Sequence, residues 1–252
     1  MNTTFSVITI CLNEERRIDR TLRSAIAQTF PGVEIIVVDG ASVDGTLRRV
    51  EKYKHRIARL ISEPDEGIYD AMNKGAACAR GDYIIFMNSG DFFYADTVLQ
   101  EVFDHRLDAD IVFGYVVNDQ GVARKKMDGL DFDPRTYLER RTLPHQATFI
   151  RRSLFQRLGG FDKSLRIVAD YELLLRAMRL YSASFRYLPV CISVYDETGV
   201  SATAIEAWKS EKQRVQDAWL KCAPESPQKP PRGWVGRLKQ RLGQMVSTRG
   251  RR

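Results

Sequence analysis

Three aspartates stand at the ends of apolar runs: Asp39 closes VEIIVVD, Asp91 closes DYIIFMNSGD and Asp170 opens ADYELLLR. A carboxylate at the carboxyl end of a core strand sits where open α/β sheets bind their ligands. It is also a hard oxygen donor of the kind Mg²⁺ or Mn²⁺ prefers. Asp170 alone would read as a helix cap, ahead of the apolar face Leu173, Leu174, Ala177 and Leu180. Beside the other two it reads as a base. Together the three suggest a site that holds a nucleotide diphosphate and a metal ion and takes a proton from an acceptor hydroxyl.

Their neighbours refine this. Gly40, Ala41 and Ser42 after Asp39 are small enough for a flat base to approach the backbone, and the carboxylate can accept an imino hydrogen. A helix-capping role for Asp39 is the alternative, but Ser42 already supplies an N-cap. The polar run Glu63–Gly75 offers Lys74, or a helix N-terminus, to phosphate oxygens. Asn88 is neutral and suits a ribose hydroxyl or a weak metal contact, leaving Asp91 as the firm ligand. His145, in LPHQ, is placed to meet the acceptor or the diphosphate, or is a structural histidine.

The elements that must position these groups alternate. Apolar runs at Phe5–Leu12, Val33–Val38, Ile57–Ile61, Tyr83–Met87 and Asp110–Val117 read as strands. Between them lie helical patterns: Ile18, Leu22, Ala25 and Ile26 behind an Asn13 N-cap, Leu47 and Val50 behind Ser42, Ile68–Ala79, and Leu99, Val102 and Phe103. This rhythm predicts an α/β fold, Rossmann-like, with a mostly parallel sheet and helices on both faces. After about residue 120 the rhythm breaks into a loop-rich insertion (Asn118–Pro144), a helix Ser153–Leu158 stopped by Gly159-Gly160, and the helix Asp170–Leu180. A β-rich Ser184–Tyr195 and a surface helix Thr203–Lys221, with Ile205, Trp208, Val215 and Trp219 apolar, complete the pattern. There is no internal repeat.

The chain's 252 residues, 44% hydrophobic, suffice for one substantial core. Its net charge of +7 comes from the tail: Lys229–Arg252 carries eight basic residues and no acidic ones, against 31 basic and 32 acidic before it. That distribution argues against a nucleic-acid-binding body. Cys11, Cys78, Cys191 and Cys222 form no CxxC pair and read as reduced thiols. No apolar run reaches the length of a membrane span, and the opening MNTTFSVITICLNE turns polar too soon for a signal peptide. A cytoplasmic protein is expected.

The motifs in order resemble a family 2 glycosyltransferase of the GT-A fold. VITICLNEERRIDRTLRSAIAQTF resembles the family's opening strand and helix, EIIVVDGASVDGT its most specific signature, GIYDAMNKGAACARGDYIIFMNSGD the run into the DxD turn, and HQATFIRRSLFQRLGGFD with VADYELLLR the acceptor-side half. The resemblance spans roughly residues 4–200. It implies an inverting, hexosyltransferase-like enzyme that uses a nucleotide-diphosphate sugar (UDP or GDP type), a glycan or lipid-linked acceptor and Mn²⁺ or Mg²⁺, in bacterial surface polysaccharide biosynthesis. It places Thr9, Cys11, Asn13, Glu14, Asp39, Lys74 and Asn88 at the donor, Asp91 at the metal, His145 at the acceptor or diphosphate, and Asp170 as catalytic base. It makes residues 1–222 the transferase domain (nucleotide-sugar half about 1–117, acceptor half about 118–222), and composition and charge then set off a linker at 223–233 and a basic amphipathic tail at 234–252. Two departures weaken the metal set. The usual acids of the DxD turn are replaced by Asn88 and Gly90, and the acidic pair before the base helix reads Ala169-Asp170.

A nicotinamide-dependent Rossmann enzyme would want G-x-G-x-x-G after the first strand, where Cys11-Leu12-Asn13-Glu14-Glu15 has no glycine. A sugar nucleotidyltransferase would want a glycine-rich basic loop there. A degenerate transferase that binds a nucleotide sugar or a partner without turnover is the non-enzymatic alternative. In the tail, Trp234, Leu238, Leu242 and Met245 recur at near-helical spacing among basic residues, a pattern that can dock on an anionic membrane surface or serve as a flexible solubilising tail.

Overall fold

The structure, a computed structural model, describes residues 4–105, 107–124, 133–196 and 204–221. Its centre is a parallel block: β1 (Phe5–Cys11), β2 (Val33–Asp39), β3 (Arg59–Ser62) and β4 (Tyr83–Phe86), in the spatial order β3-β2-β1-β4. Every residue of β1 and β4 is buried, as continuous apolar runs covered on both faces must be. Side chains alternate across the sheet. Ile8, Ile10, Ile36 and Val38 enter one core with α3 (Ile68–Cys78), whereas Phe5, Val7, Ile35 and Val37 enter the other with Ile18, Leu22 and Ala25 of α1 (Ile18–Ile26).

Beyond β4 the sheet is mixed. β8 (Thr148–Arg151) runs antiparallel to both β4 and β6 (Ile111–Val117), β6 is parallel to β9 (Phe185–Val194), and the short β5 (Phe92–Phe93) closes the far edge against β9. A two-residue β7 (Ala123–Arg124) pairs with β6. Helices α2 (Thr46–Glu51), α4 (Val98–Asp104), α6 (Arg152–Leu158), α7 (Ala169–Tyr181) and α8 (Ile205–Gln216) complete the two layers.

Register decides where function can sit. Cys11 pairs with Asp39 and Asp39 with Ser62, so three strands end level and release their loops on one edge. The Ser89 N–H then donates to Ile10 O (3.1 Å), laying the turn after β4 beside the end of β1.

Five local expectations need correction. Asn13 does not cap α1: it has φ 55°, accepts from Val43 N–H and takes Ser42 Oγ on its own N–H, tying two strand-end loops together. Ser42 does not cap α2 either, since Asp44 Oδ1 accepts the Thr46 N–H. The third strand starts at Arg59 rather than Ile57. The stretch read as an insertion holds α5 (Pro134–Arg140), capped by Asp133 with proline at its first turn. α8 ends at Gln216, ahead of a separate turn over Asp217–Lys221, and Ile205, expected among its apolar positions, is 54% exposed, whereas Val215 and Trp219 are each 2% exposed within the core. Residues 125–132 of the insertion, the linker, the tail and Cys222 lie outside the described residues.

Candidate functional site

Above the level strand ends lies a cavity of about 780 Å³, within the range of small-molecule sites. Its deep wall carries the carboxylates. Asp91, 7% exposed, ends the Asn88-Ser89-Gly90-Asp91 turn, where Gly90 has φ 106° and an added Cβ would lie 2.9 Å from Asp196. Asp91 Oδ1 accepts the Asp196 N–H (2.9 Å). Burial lifts its carboxyl from 3.8 to about 6, with the nearby His145 acting the other way.

Asp170, in the first turn of α7, accepts on Oδ1 from its neighbour's N–H at Tyr171 (2.8 Å) and from the Tyr69 hydroxyl (3.3 Å). His145 stands between the two acids. Its Nε2 is 3.9 Å from Asp91 Oδ2 and its Nδ1 is 3.9 Å from Asp170 Oδ2. The Asn88 amide donates to Nε2 (3.1 Å), which puts the imidazole proton on Nδ1, facing Asp170. Burial lowers the histidine's pKa, so at neutral pH it adds no charge of its own. Asn88 Oδ1 is buried with no partner among the described residues.

The other candidates sort into those that line the cavity and those that build its frame. Cys11 and Glu14 line it. The Cys11 thiol, buried beside Asp39, is held protonated, and it approaches both Val38 O and Asp39 Oδ1 at 3.8 Å. Glu14 forms an ion pair with Arg17 (2.6 Å), which also reaches Asp196 (2.9 Å). Asp39 is wholly buried and does not line the cavity; its Oδ2 accepts from Ser42 N–H (3.1 Å) and Ser62 Oγ (2.8 Å). Thr9 is equally buried, its hydroxyl without a partner among the described residues. Lys74 turns away to Glu63 (2.9 Å), Asp70 (3.3 Å) and Pro64 O (2.8 Å).

Sequence reasoning missed several lining groups. Leu12, 51% exposed, and Asp65 flank Gly40, where an added Cβ would meet Asp65 Oδ2 at 2.4 Å. A large apolar residue directly after a buried strand was the available signal for Leu12. Arg17, Asp196, Trp208 and Lys212 also line the cavity, and they come from distant parts of the chain that no local pattern connects.

Asp91 Oδ2 and His145 Nε2 are too far apart for a hydrogen bond, so Asp91 Oδ2 is left to face the cavity. Asn88's orphaned oxygen is on the same turn. Among the described residues no group of three or more His, Cys, Asp or Glu is placed to hold a metal by itself. The donor set fits a divalent cation shared with a diphosphate, and does not fit a resident structural metal. No helix among the described residues is long and apolar enough to cross a membrane.

The chain is similar to known proteins over most of its length. An uncharacterized glycosyltransferase of Mycobacterium tuberculosis is 35% identical over 208 residues, covering 79% of this chain and 77% of that protein. A PGL/p-HBAD biosynthesis glycosyltransferase of Mycobacterium bovis is 33% identical over 202 residues, covering 77% of each. Among solved structures, Staphylococcus aureus TarS 1–349 in complex with UDP matches with a TM-score of 0.71 at 21% identity, over 89% of this chain and 67% of that one. The mannosyltransferase PcManGT of Pyrobaculum calidifontis, in complex with GDP-Man and Mn²⁺, matches with a TM-score of 0.63 at 21% identity, over 94% and 70%. These likenesses show the GT-A fold. The family model for glycosyl transferase family 2 matches residues 6–161, more than half the chain, and the protein belongs to that family.

Proposed function

We propose that the cavity binds a UDP- or GDP-linked sugar and that Asp170 removes the proton from an acceptor hydroxyl as its oxygen attacks the anomeric carbon. The nucleoside diphosphate departs from the opposite face, so the configuration inverts. The observation that carries this reading is the row Asp91–His145–Asp170, which sets one buried acid and one partly exposed acid on either side of an imidazole. One acid suits a cation and the other a proton.

The nucleoside lies against Leu12 and Asp65, whose carboxylate packs on Gly40, with Asp39 bracing the strand ends from beneath. Arg17, held at the mouth by Glu14 and Asp196, meets the diphosphate in the role first expected of Lys74. Asp91 and the Asn88 carbonyl would hold Mn²⁺ or Mg²⁺ together with diphosphate oxygens, and the ion would offset charge on the leaving group. His145 turns Nδ1 toward Asp170, at 3.9 Å from its Oδ2. Structural neighbours bound to UDP and to GDP-Man with Mn²⁺ support this donor class, and the PGL/p-HBAD biosynthesis relative supports a glycan or lipid-linked acceptor in surface polysaccharide biosynthesis.

The test is Asp170→Asn. Release of nucleoside diphosphate from the donor should fall by about 10²–10⁴-fold, the usual contribution of a general base, while the calorimetric donor Kd stays as in wild type. Turnover at the wild-type rate removes Asp170 as the base.

A further inference from the structure

Helix α8 reaches the cavity from a part of the chain beyond the 6–161 family match. Trp208 and Lys212, one helical turn apart, line the cavity that Asp170 and His145 share. They are held in place. Glu211, on the same helix and 6% exposed, accepts the backbone N–H groups of Arg166 (2.9 Å), Ile167 (2.8 Å) and Val168 (3.1 Å). Those residues lead directly into α7. The Ile167 carbonyl accepts the Tyr69 hydroxyl (2.7 Å), the group that also reaches Asp170 (3.3 Å). One buried carboxylate therefore fixes the indole to the frame that carries the base.

Lys212 braces this arrangement from beside the ring. Its Nζ lies 4.9 Å from the Trp208 ring and 5.5 Å from the Tyr171 ring, and it donates to Arg140 O (2.8 Å). The cavity that Trp208 lines also carries apolar groups (Leu143, Pro144, Ile167) and polar ones (Thr142, Gln146, Arg166). A pyranose ring has the same two-sided chemistry, a C–H face to lie on an aromatic plane and a hydroxyl edge to meet polar side chains. A bare alkyl chain would offer these polar groups no hydrogen-bonding partner.

We infer that Trp208 is the platform of an acceptor subsite for a pyranosyl residue, so that the acceptor is itself a glycoside whose hydroxyl is presented to Asp170. The inference rests on the transferase reading of the cavity. The experiment titrates wild type, Trp208→Phe and Trp208→Ala with a panel of methyl pyranosides by saturation-transfer NMR, with UDP and GDP binding measured in parallel by calorimetry. At least one methyl pyranoside should saturate the wild type. Trp208→Phe should hold it within about threefold and Trp208→Ala should weaken it about tenfold or more, with nucleotide Kd unchanged as the control for folding. Wild-type glycoside affinity in Trp208→Ala overturns the subsite. Nucleotide binding without binding of any methyl pyranoside to the wild type also overturns it and leaves the transferase reading standing. Absence of nucleotide binding in the wild type removes the transferase reading, and the subsite with it.

Discussion

Asp91 is 7% exposed, and burial raises its carboxyl to about 6 from an ordinary 3.8. A carboxyl whose folded pKa exceeds its unfolded value holds its proton more tightly when folded. It therefore favours the folded state fully below the unfolded value, and that advantage is lost as pH rises through the folded value. The gap of about two units corresponds to about 3 kcal/mol at most, the cost of keeping the ionised group buried at neutral pH. Asp91→Asn removes that cost. The asparagine Oδ1 still accepts the Asp196 N–H that Asp91 Oδ1 accepts, so no backbone donor is orphaned. The neutral His145 does little to offset the charge in the wild type. The variant should thus melt higher than wild type at about pH 8 by several degrees, at about 2–4 °C per kcal/mol for a chain of this size, and the difference should vanish near about pH 4. Mn²⁺ should enlarge the stabilisation of the wild type by a nucleoside diphosphate and not that of the variant. Scanning calorimetry across this pH range is the assay. A variant no more stable than wild type at about pH 8, or an advantage that grows toward low pH, refutes the reasoning.

Glu211→Ala orphans three backbone N–H groups at about 1–3 kcal/mol each, so urea denaturation should show a loss of several kcal/mol, with Glu211→Gln losing less because it keeps one acceptor oxygen. Gly40→Ala pushes the flexible end of Asp65 off its place beside the cavity; nucleotide Kd measured by calorimetry should rise while the melting temperature stays near wild type. Removing residues 229–252, the basic end of the chain, should release the protein from anionic liposomes in a sedimentation assay, and unchanged binding would contradict a membrane role for the tail.

The parallel block was legible because each strand is a run of apolar residues buried on both faces, which the sequence states without reference to anything distant. Asp91 and Asp170, marked in the sequence as carboxylates at the ends of apolar runs, both line the cavity. The second half was harder. β8 is four residues long and exists through pairing with β4 and β6, both well before it in the chain, so it sends no local signal. α5 had its signal in Asp133-Pro134, a cap followed by a first-turn proline, hidden within a polar stretch. Glu211 sits among Lys209, Ser210, Lys212 and Gln213 and looks like part of a solvated face; only the fold shows the turn at 166–168 that it holds. Lys74 and Asp39 show the converse. Both sit in motifs that read as ligand contacts, yet neighbouring groups engage them within the frame.

The central claim, a cavity for a nucleotide-diphosphate sugar with a shared cation, is tested most directly by the thermal shift of the wild type against a panel of UDP- and GDP-sugars with and without Mn²⁺. The account predicts that one donor raises the melting temperature and that Mn²⁺ enlarges the shift in the wild type and not in Asp91→Asn. No shift with any donor, in either condition, would contradict it.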